Sequence, residues 1–176
     1  MSTLFPLMLL LFVIVLYFWV KEFSGTVSTF IIIIFSIVGA MGMAGWLGIA
    51  LTPPSFSAVM IIPTMAIADS VHVLMNYLQM RSRGENREEA MVDSVRINLQ
   101  PIFLTSLTTA IGFLSMNFSD APPFHDLGNI VAMGVGAAFL FSIALLPAMM
   151  MVLLLPMTPR VSRAGLAMER GGGVVE

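Results

Sequence analysis

The sequence predicts an all-α membrane protein of five transmembrane helices plus a short cytoplasmic amphipathic helix. Three observations carry that expectation. Of 176 residues, 58% are hydrophobic and only 10% are charged, whereas a soluble domain carries about 25% charged residues. The apolar residues fall in five runs long enough to cross a bilayer, which takes about 20 residues in a helix. All eight Lys and Arg fall on one side of the membrane once the five runs are threaded through it. The same composition excludes other classes. Without cysteine there is no disulfide scaffold. Eight basic against ten acidic residues leave no footprint for nucleic acid, and the apolar content is too high for disorder.

The runs are residues 4–20, 27–51, 55–80, 101–118 and 128–155. No Lys or Arg precedes the first, and no small-residue cleavage pattern follows it before Lys21 and Glu22, so it reads as a retained span. The second carries Ala40, Ala44 and Gly48 at four-residue spacing, and the last carries Gly134 and Ala138; small residues so spaced let helices approach closely. Pro63 and Pro147 should kink the third and fifth spans, freeing carbonyls that water or neighbours must satisfy.

Between the third and fourth spans, Asn86 with Glu89 three residues later reads as a capping box. Ala90, Met91, Val92, Val95 and Leu99 then form an apolar stripe, predicting an amphipathic helix over about 87–99 on the inner membrane face. Pro101 suits the first turn of the next span, where its missing N–H costs nothing. Residues 1–157 form the membrane domain; 158–176, with Gly171, Gly172 and Gly173, read as a flexible cytoplasmic tail.

Lys21, Arg81, Arg83, Arg87, Arg96, Arg160, Arg163 and Arg170 share one side, while the opposite loops hold Asp120 and Asp126. The positive-inside rule makes the Arg side cytoplasmic, with the N-terminus outside. Tyr17, Trp19 and Tyr77 near inner ends, and Trp46 near an outer end, suit aromatic belts. A five-span chain starting outside looks like a protein whose first span is missing: a native short protein, or part of a longer permease.

Within the spans only Asp69 and His72 are ionisable. A central Asp costs roughly 2.5–3.5 kcal/mol on insertion scales, so it should face the bundle. Carrying a charge there is expensive, which makes a protonation switch feasible; a purely structural hydrogen bond is the plainer reading. Asp69, His72, Asn76 and Gln79 descend one helical stripe toward the basic end, and Ser70 adjoins Asp69. In the fourth span Thr105, Thr108, Thr109, Gly112 and Ser115 form a hydroxyl-rich face, with Thr109–Gly112 counted to Asp69's depth. Such hydroxyls could steady an ionised carboxylate, or merely bond to their own backbone.

These motifs resemble a known family. Ala66-Ile-Ala-Asp69-Ser-Val-His72 is followed by Arg81-x-Arg83-Gly84, then Glu89-Ala90, then the Pro101-to-Phe113 segment with Thr105 and Gly112. Asp126-Leu-Gly128 opens the last span, and Leu145-Leu-Pro147-Ala148 closes the succession. Together these are similar to the transmembrane half-domain of the resistance-nodulation-division superfamily, in its MMPL-like exporter branch, which is related to the sterol-sensing domain. The resemblance implies proton-driven export of hydrophobic or amphiphilic compounds, with Asp69 as the essential carboxylate and Thr108 and Thr109 in the span that carries relay hydroxyls. His72, a relay candidate from its place on the Asp69 stripe, is not part of what the resemblance implies. It implies a half whose five spans follow a large extracytoplasmic domain, and hence a second half or a homo-oligomer as partner. The chain departs from the family where Met65 stands at a frequent Gly, where Ser70 stands at a second carboxylate, and where no span carries Lys or Arg.

The expected function is therefore the proton-coupling membrane module of such an exporter, without cofactor or metal, in the plasma (inner) membrane. Alternatives are a sterol- or lipid-sensing module and an inactive truncated remnant. An enzyme is not expected: there is one intramembrane carboxylate where aspartyl proteolysis needs two, and there is no metal or P-loop motif.

Overall fold

A computed structural model describes residue 7 and residues 23–153. The expected first span at 4–20 and the tail at 158–176 lie outside the described residues. Those described are α1 (Phe23–Trp46), a 3-10 turn (Pro54–Ser57), α2 (Ala58–Ser82) and α3 (Arg87–Leu114). A second 3-10 turn (Ser115–Phe118) leads to α4 (Pro122–Leu140), a π turn (Phe141–Leu145) and α5 (Leu146–Leu153). Four stretches among them are long and apolar enough to cross a membrane: Ser24–Trp46, Pro54–Ser82, Arg87–Phe118 and Pro122–Leu153. The last runs unbroken from α4 through the π turn into α5.

The helix ends have local causes. α1 stops where Gly48 adopts φ +69 and Ile49 N–H reaches back to the Ala44 carbonyl, five residues away. Gly48 is thus a terminating residue rather than a packing one. α2 ends the same way at Gly84, φ +89, with Glu85 N–H on the Met80 carbonyl. Asn86 caps α3 as its sequence suggested, although its side chain accepts from Arg87 N–H at 2.8 Å rather than from the third residue of the helix.

The separate amphipathic helix does not form. Residues 87–99 are the first half of α3, which continues through Pro101 to Leu114. Proline inside a helix removes one hydrogen bond; here the carbonyl deprived of its donor belongs to Ile97, which is exposed. The inward face of this segment is Ala90, Met91, Ser94 and Asn98, whereas Val92 and Leu99 point outward.

Two apolar clusters hold the bundle. Toward the end bearing Arg81 and Arg87, the basic end, Ile32 and Ile33 of α1 meet Val73 and Leu74 of α2, Ile102 of α3 and Leu146 of α5. Tyr77 is buried in this cluster rather than placed in an aromatic belt. Toward the other end Ala40, Ala44 and Ala58 let α1 and α2 close on Ile130, Val131 and Val135 of α4. Packing and hydrogen bonds, not water exclusion, drive such contacts in lipid. Gly134 is where α4 seats on α2, because a Cβ there would overlap Ile62 Cδ1. Gly128 does the same against the Phe113 carbonyl of α3, while Ala138 is fully buried. A Cβ added at Gly112 would meet nothing within 4 Å among the described residues, so no close helix approach depends on it there.

Candidate functional site

The site is built on α2. Asp69 is 3% exposed, and its Oδ2 has no hydrogen-bond partner among the described residues. It is the one buried carboxylate among them. Ser70, beside it, is fully buried with its hydroxyl likewise unpartnered. Because side chains on a helix turn 100° per residue, Asp69 points inward while His72 is exposed, Asn76 is half-buried and Gln79 is exposed. The expected polar stripe thus begins in the core and winds out onto the bundle surface.

The depth of Asp69 relative to the other helices follows from three contacts. Ser94 Oγ donates to the Val73 carbonyl at 2.5 Å. From that bond, four residues along each antiparallel helix lead to Asp69 on α2 and Asn98 on α3, both about 6 Å further from the basic end. Gly134 faces Ile62, and α4 runs parallel to α2, so eight residues on from each stand Ser142 and Ser70. Gly128 faces Phe113, and fifteen residues on from each, in opposite senses, come Ile143 and Asn98. Asp69, Ser70, Asn98 and Ser142 therefore share one level of the bundle. Asn98 is 6% exposed and Ser142 is fully buried with an unpartnered hydroxyl. The amide nitrogen of Asn98 is committed to the Ser94 carbonyl at 2.8 Å, leaving its oxygen as an acceptor.

The hydroxyl face of the fourth span is elsewhere. Thr105, Thr108 and Ser115 are exposed and Thr109 is half-buried. The hydroxyls of Thr105, Thr108 and Ser115 donate to carbonyls of their own helix, at Ile102, Leu104 and Gly112. Counting depth from Pro101 placed Thr109–Gly112 beside Asp69; with α3 starting at Arg87 and pinned by Ser94, those residues lie toward the far end. The sequence reading missed Asn98, which stands near Pro101 and read as the end of a surface helix. Its signal was the i, i+4 series Ala90, Ser94, Asn98, Ile102, Ser106, every member of which is buried.

At the basic end Arg87 Nη2 donates to the carbonyls of Met150 and Met151, at 2.5 and 2.6 Å. The first residue of α3 thus caps the end of the last span. At the far end Asn117 and Asn129 exchange amide hydrogen bonds at 3.0 and 3.2 Å, tying the second 3-10 turn to α4. Among the described residues no group of three His, Cys, Asp or Glu is placed to hold a metal ion.

Comparison with known proteins gives a family match. The model of the MMPL family matches residues 3–170. A Methanocaldococcus jannaschii protein named only as a membrane protein is 22% identical over 143 residues, 81% of this chain and 36% of its own length. The hopanoid transporter HpnN of Rhodopseudomonas palustris is 26% identical over 80% of this chain, covering 16% of the transporter. Protein dispatched homolog 3 of Homo sapiens is 30% identical over 46% of this chain and 6% of its own length. The chain thus spans little more than a third, at most, of the length of these curated relatives.

Proposed function

The chain belongs to the MMPL family, and we propose that it is the transmembrane proton-coupling module of a transporter for hydrophobic or amphiphilic compounds. The observation that carries this reading is Asp69: a carboxyl group at mid-span, 3% exposed, with an unpartnered oxygen. A carboxylate retained there is costly, and an intramembrane ionisable group reads as a functional group, proton relays among its roles. The hopanoid transporter among the relatives supports a lipid-like substrate.

In this reading the module sits in the plasma membrane with the N-terminus outside and the C-terminus in the cytoplasm. It works with a second half, or a second copy, and with an extracytoplasmic domain supplied by other sequence. α3 supports the need for a partner. In its most apolar stretch 11% of residues are buried, against 39–44% for the other spans, and its exposed side carries Thr105, Thr108 and Ser115. His72 and the half-buried Thr109 are the relay groups left for that partner to meet. Movement of the partner across this face, as Asp69 gains and loses its proton, is the coupling step.

Infrared spectroscopy of the chain in liposomes, with Asp69→Asn as the blank, tests the switch. An Asp69-dependent carbonyl band that appears and disappears with pH supports it. A band constant from about pH 4 to 10 makes Asp69 a permanently protonated structural group. Lipid binding that persists in both forms would then favour a sensing module.

A further inference from the structure

The last span breaks its α-helical pattern at the level of Asp69. In the π turn Leu146 N–H donates to the Phe141 carbonyl, five residues back rather than four. The next residue is Pro147, which has no N–H. Both donors that could serve the Ser142 carbonyl, at i+4 and i+5, are therefore spent or missing. The Ser142 hydroxyl, fully buried, has no partner either. A main-chain carbonyl without its helical donor and a hydroxyl with no partner among the described residues thus stand inside a membrane helix, where each unsatisfied group is expensive. π turns inside helices are frequent at functional sites.

We propose that Ser142, presented by the π turn, is a positioning residue for Asp69, and that with Ser70 and Asn98 it forms an intramembrane site for water and the transported proton. The site needs both kinds of hydrogen-bonding group, because a carboxyl group changes its needs when it titrates. Ionised, Asp69 requires donors, and the hydroxyls of Ser70 and Ser142 are donors with nothing else to serve. Protonated, it requires an acceptor, and the Asn98 oxygen and Ser142 carbonyl are acceptors at the same level. A water molecule links whichever of these lie beyond direct reach.

Among the described residues no second charge competes for this layer. α1 brings the apolar Ile32 and Ile33 to this level, and Ser36, one turn away, has its hydroxyl occupied by the Ile32 carbonyl. On α3, Asp93 and Arg96 are exposed, and on α2 so is His72. The buried polar residues of α1, α3 and the last span are all neutral. This inference rests on the proton-coupling reading of Asp69 but concerns groups within this one half, independent of any partner.

The test is the Asp69 carbonyl band of the whole chain in liposomes, in Ser142→Ala and Ser142→Thr. The Ala variant should displace the band and move its titration midpoint by about one pH unit; the Thr variant, which keeps the hydroxyl, should restore both. Deuterium exchange of the backbone reports whether Ser142→Ala keeps the fold. If that variant is folded and its band and midpoint match the wild type, the Ser142 assignment falls while the switch stands. A wild-type band constant with pH, yet displaced in Ser142→Ala, removes the switch and keeps the hydrogen-bonded site. A band constant with pH and identical in both overturns the two together.

Discussion

Ser94 and Val73 are joined by a side-chain hydroxyl donating to a main-chain carbonyl, 2.5 Å apart and fully buried. The bond fixes the register of α3 against α2, and through it which residue of α3 faces Asp69. Ser94→Ala removes the donor and leaves the Val73 carbonyl its own helical bond. The expected loss is about 1 kcal/mol of stability, read as a lowered unfolding midpoint in detergent. A larger effect should appear as faster deuterium exchange at residues 94–102.

Helix seating at Gly128 is unforgiving. A Cβ would meet the Phe113 carbonyl, which is backbone and cannot rotate aside. Gly128→Ala should destabilise the bundle by about 1–3 kcal/mol. Gly136, where an added Cβ would meet nothing within 4 Å, is the control. There the same change should be neutral or slightly stabilising, since alanine favours helix by about 1 kcal/mol. Thermal melts of the two variants side by side decide it.

The Arg87 clamp makes a third case. Two carbonyls at the end of the last span accept from one nitrogen. Lysine carries three donors on its one nitrogen, but on a shorter stem and without the fixed plane that aims the Arg87 donors. Arg87→Lys should therefore retain part of the protection, and Arg87→Ala should lose it. Hydrogen exchange at residues 146–153 measures both, and equal protection in all three proteins would refute the clamp.

A fourth prediction concerns the face of α3 that carries the exposed Thr105 and Thr108. Because the chain has no cysteine, single thiols report cleanly. Thr108→Cys, exposed on the spanning surface, should crosslink to the partner half or copy in native membranes. Ala44→Cys, 1% exposed inside the bundle, should not. Labelling of Thr108→Cys by a lipid-soluble maleimide with no crosslink at any protein density would mean that this face meets lipid alone.

Much of this architecture is legible in the residues. Length and hydropathy place the spans that became α1, α2 and the α4–α5 rod within a few positions, because a bilayer imposes both. Asp69 stands out because carboxylates are rare in apolar runs. The orientation of α3 was not legible. Its hydroxyls lie on a regular stripe whichever way the helix turns, and only the Ser94 contact decides that the small and amide face points inward. Pro101 suggested a helix start, yet a proline whose unserved carbonyl faces outward is tolerated inside one. The π turn was hidden for a related reason: Pro147 announces a kink, but not whether the chain answers it by bending or by adding a residue to the turn.

The continuity of α3 turns these contacts into a mechanical statement. Twenty-eight residues in one helix make a rod about 42 Å long. It is held at its base by Arg87 on the last span, part-way along by Ser94 on α2, and near its tip by Phe113 against Gly128. A rod pinned at three points transmits force along its axis rather than swinging, and what freedom it has is bowing of the long stretch between Ser94 and Phe113, where Thr105 and Thr108 are exposed.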